Sequence, residues 1–335
     1  MPVNANVTPT ATFTATFTAA STLPRVLVLG QQMPYLVDAL RRQCDVTLLA
    51  QQPQPEAYLA AHGATFDAVV TSAFVGLDPA VLQALTRVQM VSNFGVGVDG
   101  IDLRETARRG IVVGYTPDVL NACVADLAWG LLIDTARRLS EADRFVRAGQ
   151  WLGARFPLAT RVSGKRLGIV GLGRIGREVA RRASGFDMQI RYTNRRALAD
   201  WPAEAFEPDL LALARWADFL MVVTPGGAET RHLISREVMR ALGPDGLLVN
   251  VARGSVVDEQ ALVAALQAGE LGGAGLDVFD DEPHVPAALM DLPRVVLLPH
   301  IASGTHETRQ AMADLTVANL LAHFSGQAVV SPPAG

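Results

Sequence analysis

From Arg25 onward, short apolar runs alternate with longer mixed segments, the pattern of parallel strands joined by helices. The first series predicts strands over Arg25–Leu29, Asp45–Leu49, Ala68–Thr71, Val88–Asn93 and Ile111–Val113. Between them fall predicted helices Pro34–Gln43, Pro55–His62, Pro79–Leu85 and Leu103–Arg109. Together they make one α/β domain of about 90 residues.

One long helix is predicted next, Val119–Ala148, after Thr116-Pro117-Asp118. Pro117 resists helix extension backward, and Asp118 is placed to cap the helix forward. Past Gly149 the alternation resumes, with strands over Arg166–Val170, Met188–Thr193, Phe219–Val223, Leu247–Asn250, Gly275–Val278 and Val295–Leu298. Their Val, Ile and Leu content predicts strands buried on both faces. A last helix, Thr305–Phe324, follows once this series has run out of strands. The pattern alone leaves open whether it returns to the first domain.

Composition narrows the classes. A chain of 335 residues favours two domains, and 50% hydrophobic content supplies two cores. A net charge of −4, with no basic run, argues against a nucleic-acid partner. The longest apolar stretches, such as Leu127–Ile133, fall far short of the roughly 20 residues of a membrane span. Cys44 and Cys123 form neither a disulfide framework nor a CxxC pair, which fits a cytoplasmic setting. No metal is expected, because the six histidines and two cysteines lack zinc-like spacing. Residues 1–22, with Ala11–Ala20 reading ATFTATFTAA, have neither the basic start nor the apolar core of a secretory signal. They are expected to be a flexible N-terminal extension.

Candidate chemistry begins at Gly171-Leu172-Gly173-Arg174-Ile175-Gly176, a GxGxxG run. Alone such a run is often only a tight turn. Here a strand feeds it and the predicted helix Arg174–Ser184 leaves it, as a dinucleotide-binding loop requires. The helix start offers unpaired N–H groups and partial positive charge to phosphates. At the end of the next strand an NAD site usually places an acid for the ribose 2′-OH. This chain instead has Asn194-Arg195-Arg196, which suits a 2′-phosphate and predicts NADP(H), with NAD(H) as the lesser cofactor.

Three polar residues follow strands of the second series: Arg253 in NVARG, Glu282 in DVFDDEP, and His300 in LPHIASGT. Singly, each has a dull explanation as a turn, a surface corner or a structural histidine. Jointly they supply a cation for a carboxylate, a proton donor, and an acid to keep that donor charged. In open α/β sheets such ligands bind beyond the carboxyl ends of the strands.

These segments, Gly171–Gly176, Asn250–Gly254, Gly273–Pro283 and Pro299–Thr305, closely resemble the D-isomer-specific 2-hydroxyacid dehydrogenases. The likeness runs over nearly the whole chain from about Leu23 and is strongest to the glyoxylate/hydroxypyruvate and hydroxyphenylpyruvate reductases. It implies two Rossmann-like, doubly wound parallel-sheet domains with the active site in the cleft between them. Residues 23–118 with 305–335 would form a discontinuous, flavodoxin-like substrate domain, and residues 119–304 the NAD(P)-binding domain. The resemblance implies that Arg253 binds the substrate carboxylate, that His300 is the proton donor, and that Glu282 keeps His300 protonated near neutral pH. Val96 and Gly97, in FGVGVD, would offer N–H groups to the substrate, and Val75 and Gly76 would line its pocket. Asp277 would hold the nicotinamide carboxamide, with Thr224, Val251, Ala252 and Ser303 completing the cofactor contacts. A homodimer joined through the cofactor domains, with the long helix in the interface, is also implied.

The expected function is NADPH-preferring reduction of a small 2-oxo acid to a D-2-hydroxy acid. Hydroxyphenylpyruvate and 2-ketogluconate are alternatives to glyoxylate and hydroxypyruvate. A nucleotide-sensing corepressor-like protein is the rival from another class, and the complete Arg253/Glu282/His300 set argues against it. Formate dehydrogenases carry glutamine where this chain has Glu282, and the longer phosphoglycerate dehydrogenases carry additional C-terminal sequence.

Overall fold

The structure, a computed structural model, describes residues 23–333. The expected extension over residues 1–22 lies outside them. The chain divides into two compact units. One takes the described residues up to Pro117 together with those from Gln310 onward, and the other is Asp118–Arg309. Each is an α/β unit built on a single parallel sheet.

In the first unit, β1 (Arg25–Val28), β2 (Asp45–Leu48), β3 (Ala68–Ser72), β4 (Met90–Phe94) and β5 (Val112–Gly114) line up in the order β2-β1-β3-β4-β5. Every neighbouring pair is parallel, with Val26 beside Val46 and Ala68, and Ala68 beside Met90. The sheet is doubly wound, and its order reverses at β1 and β3, where a ligand crevice is expected. Val26, Leu27, Val28, Val69 and Val91 are fully buried, as strands covered on both faces must be. The helix His306–Phe324 docks here through its later turns. Ser92 Oγ donates to the Thr316 carbonyl at 2.9 Å, and Asn319 Nδ2 to the Tyr115 carbonyl at 3.0 Å. Ser92, Thr316 and Asn319 are buried, so these bonds satisfy groups that water does not reach.

The second unit has six parallel strands: β6 (Arg166–Val170), β7 (Gln189–Thr193), β8 (Phe219–Val222), β9 (Leu247–Asn250), β10 (Gly273–Leu276) and β11 (Val295–Leu297). Their order is β11-β10-β9-β8-β6-β7, with the reversal between β6 and β8. Phe219–Val222 and Leu247–Val249 are completely buried. Trp129, on the helix Asn121–Arg137, donates from Nε1 to the Val179 carbonyl at 3.0 Å and ties that helix to Arg174–Ala183.

Two local expectations are corrected. The single helix over Val119–Ala148 is two helices, Asn121–Arg137 and Leu139–Arg147, separated by Arg138 at φ 57°. A left-handed non-glycine residue costs about 1–2 kcal/mol. Side chains offset that cost: Asp134 accepts from Ser140 N–H at 2.8 Å and from Ser140 Oγ, while Arg138 pairs with Glu141 and lies over Phe156. Nor does Asp118 cap the first of these helices, whose N-cap is Leu120. Asp118 sits at φ 68° and accepts from Asn121 Nδ2 at 3.1 Å, with Arg174 Nε 3.2 Å away. Among the described residues, no helix is long and apolar enough to cross a membrane.

Candidate active site

The loop leaving β6 lies at the reversal point of its sheet. Gly171 adopts φ +100°, and a Cβ there would sit 2.8 Å from Thr224 Cα, on the neighbouring strand end. A Cβ at Gly176 would meet the Gly171 carbonyl at 2.4 Å, so helix and loop pack backbone to backbone. Gly173, the N-cap of Arg174–Ala183, is open, with nothing within 4 Å of its Cβ direction. Arg174, Ile175 and Gly176 form the first turn of that helix, at the positive end of its dipole. This cradle fits a dinucleotide pyrophosphate.

Asn194, expected at the cofactor, turns its carboxamide onto the loop itself. Its Oδ1 accepts the Leu172 N–H at 2.7 Å. Arg195 and Arg196 are exposed, and Arg195 Nη1 lies 3.4 Å from Glu229 Oε2. Thr224 is half-buried at the end of β8, while Val251 and Ala252 are buried after β9.

The three reacting candidates follow β9, β10 and β11 at one sheet edge. Asn250 shapes the first turn: its Oδ1 accepts Ala252 N–H at 3.0 Å, and its Nδ2 donates to the Arg253 carbonyl at 2.9 Å. Arg253 is half-buried, and its Nη1 donates to the Ala252 carbonyl at 2.7 Å. Next to it, Gly254 leaves no room for a side chain. A Cβ there would fall 1.8 Å from the Phe279 carbonyl carbon. The Arg253 turn and the Phe279–Glu282 turn therefore approach backbone to backbone at Gly254.

Glu282 uses both oxygens. Oε2 lies 2.7 Å from His300 Nδ1, and Oε1 accepts the Phe279 N–H at 3.0 Å. Burial pushes its carboxyl up, but the bond to and charge of His300, the Phe279 N–H and the charge of Arg253 outweigh that and hold it below the ordinary value. His300 is half-buried and adopts φ 54°. Its N–H donates to the Asp277 carbonyl at 2.8 Å.

Asp277, expected to face the nicotinamide, is wholly buried, and its carboxylate accepts Ile301 N–H at 2.8 Å and Ala302 N–H at 2.9 Å. Burial raises its carboxyl above the usual range, against the pull of those two N–H groups and of His300. It anchors the turn that carries His300. Ser303 is half-buried just beyond.

In the first unit, Val75 is exposed and Gly76 buried in the turn after β3, where Gly76 N–H donates to the Ser72 carbonyl at 2.8 Å. Val96 and Gly97 are half-buried after β4, and Asn93 Nδ2 holds that loop by donating to the Gly95 carbonyl at 3.2 Å and the Gly97 carbonyl at 2.8 Å. The roles of Asn93 and Asn250 escaped sequence reading. Asn250 is the last residue and Asn93 the last but one of a strand of buried residues, and that was the available signal.

Comparison with known proteins gives the family. Residues 129–302 match the family model described as D-isomer specific 2-hydroxyacid dehydrogenase, NAD binding domain. The chain is 46% identical over 307 residues to a glyoxylate/hydroxypyruvate reductase A of Arabidopsis thaliana, covering 92% of this chain and 98% of that protein. It shows the same identity and coverage, again over 307 residues, with a hydroxyphenylpyruvate reductase of Plectranthus scutellarioides. Among solved structures, an NADPH-dependent glyoxylate/hydroxypyruvate reductase of Sinorhizobium meliloti, in complex with NADP and malonate, superposes with a TM-score of 0.88 at 42% identity. That match covers 93% of this chain and 97% of the other.

Proposed function

The chain belongs to the D-isomer specific 2-hydroxyacid dehydrogenases and is an oxidoreductase, and from that premise we propose that it reduces small 2-oxo acids, glyoxylate and hydroxypyruvate foremost, with NADPH. The observation that carries the reading is the Glu282 carboxylate bridging His300 Nδ1 and the Phe279 N–H, beside the Arg253 turn.

Bound NADPH supplies the hydride. The residues of the chain supply everything else. Glu282 holds the Nδ1 side of the imidazole, which leaves His300 Nε2 to donate its proton to the carbonyl oxygen as that oxygen gains charge. In the oxidative direction the same nitrogen accepts the proton. Arg253 receives the substrate carboxylate, for which its planar fork is suited. The N–H groups of Val96 and Gly97 bind the same carboxylate, and Val75 and Gly76 border the substrate. Asp277 fixes the His300 turn by its two backbone bonds.

The absence of an acid at Asn194, with Arg195 and Arg196 next to it, supports NADPH over NADH. The NADP bound to the Sinorhizobium meliloti relative points the same way. Initial rates with glyoxylate, hydroxypyruvate, hydroxyphenylpyruvate and 2-ketogluconate, each with NADPH and NADH, test the whole reading. NADPH should win with every substrate, and the first two acids should lead. A protein that oxidises NADPH with none of the four acids is not such a reductase.

The second unit also presents apolar side chains to solvent: Trp151 is 70% exposed, Leu152 97% and Leu158 98%. Such a patch supports assembly as a homodimer through this segment. A dimeric mass that becomes monomeric in a Leu152→Asp, Leu158→Asp variant is expected in light scattering.

A further inference from the structure

We propose that Glu259 is a positioning residue for the reduction: its carboxylate holds the turn that aims Glu282 at His300. The proposal rests on the reading of His300 as proton donor. Glu259 is the first residue of the helix Glu259–Gln267, six residues beyond Arg253 and capped by Asp258, whose Oδ1 accepts Ala261 N–H at 3.0 Å. From there Glu259 Oε1 accepts the N–H of Asp280 at 2.9 Å. The preceding N–H, that of Phe279, goes to Glu282 Oε1. Two successive amides of one turn are thus each held by a carboxylate, one local and one from the Arg253 side.

The peptide between those amides is also the one against which Gly254 packs; a Gly254 Cβ would lie 2.2 Å from Asp280 N. Contact by Gly254 stops the turn from moving inward, while the Glu259 bond stops it from lifting away. Without the second restraint the Glu282 side chain keeps its chemistry but loses its fixed base. The location is an expensive one for an acid. Burial raises the Glu259 carboxyl, and the charges of Asp280, Glu282 and Asp281 raise it further, with Arg231 pairing to Asp280 3.4 Å away. A carboxylate kept among three others points to a use for its reach.

Two variants separate reach from charge. Glu259→Asp keeps the charge and suits the first helical turn, but it is one methylene too short for Asp280 N–H. Glu259→Gln keeps the acceptor and drops the charge. Steady-state rates with glyoxylate and NADPH, together with the NADPH Kd from fluorescence titration, should show kcat down about tenfold in Glu259→Asp, the scale of one lost charge-assisted bond. Its NADPH Kd and its KM for glyoxylate should stay within about twofold, and Glu259→Gln should keep at least about half the parental kcat. Parental kcat in Glu259→Asp, or an equal loss in both variants, would overturn the proposal. Failure of the functional reading is a separate result, since then the parent itself would not turn over.

Discussion

His300 Nδ1 and Glu282 Oε2 stand 2.7 Å apart, and the second Glu282 oxygen is fixed by a backbone amide. The carboxyl is held below its ordinary value, so it is ionised throughout the neutral range. The imidazole therefore faces a full negative charge at Nδ1. Glu282→Gln keeps the shape and removes the charge. The decline of kcat/KM for glyoxylate reduction with rising pH should then set in earlier, with oxidation at neutral pH less impaired. Unchanged profiles in parent and variant would separate Glu282 from the proton donor.

Arg253 is set by Asn250, which holds the backbone on both sides of it. Lysine at this place keeps charge but not the planar fork. Arg253→Lys should lower kcat/KM for 2-oxo acids by about a hundredfold or more, with NADPH Kd unchanged, as two charge-assisted bonds become one. Normal efficiency in that variant would remove Arg253 from the substrate carboxylate.

Arg195 and Arg196 should act on one cofactor only. In Arg195→Ala with Arg196→Ala, KM for NADPH should rise about tenfold or more while that for NADH stays nearly constant. The Glu229 pair of Arg195 is exposed, so breaking it adds little to the measured change. Equal loss with both cofactors would mean that these arginines do not touch the 2′-phosphate.

Asn194 gives the converse experiment. Its Oδ1 already serves the Leu172 N–H, which an aspartate oxygen would serve too, with only the long 3.5 Å Nδ2 contact to the Leu172 carbonyl lost. Asn194→Asp should therefore leave the glycine loop intact while repelling a 2′-phosphate, moving the NADPH-to-NADH ratio of kcat/KM toward NADH by about tenfold or more. Thermal melting should be unchanged. A shifted melting temperature with an unshifted ratio would make Asn194 structural alone.

Much of this was legible in the chain because parallel strands buried on both faces are nearly unbroken apolar runs. Arg166–Val170 and Leu247–Asn250 begin and end where the pattern places them. The alternation also put Arg253, Glu282 and His300 after strands, which the fold then brings to one edge. The break at Arg138 left no such mark. No glycine or proline lies there, and the left-handed turn is held by Asp134, Ser140 and Phe156, partners up to 18 residues away along the chain. Asp118 misled for a related reason: its side chain meets Arg174, across the fold, and the Asn121 side chain, and caps no backbone N–H of the helix beside it. Glu259 was illegible as a site residue because its partner is a backbone N–H, which has no letter in a sequence.

The φ of 54° at His300 sets what selection can and cannot improve. An L residue with a branched, bulky ring is held there at a cost of about 1–2 kcal/mol, and Asp277 enforces the turn from beneath. Glycine or asparagine would relieve that cost, so a library screened only for resistance to heat should enrich His300→Gly and His300→Asn, and every such winner should have lost turnover. Durability and catalysis pull in opposite directions at this one position, and a histidine retained there under thermal selection alone would show that its bond to Glu282 outweighs the strain.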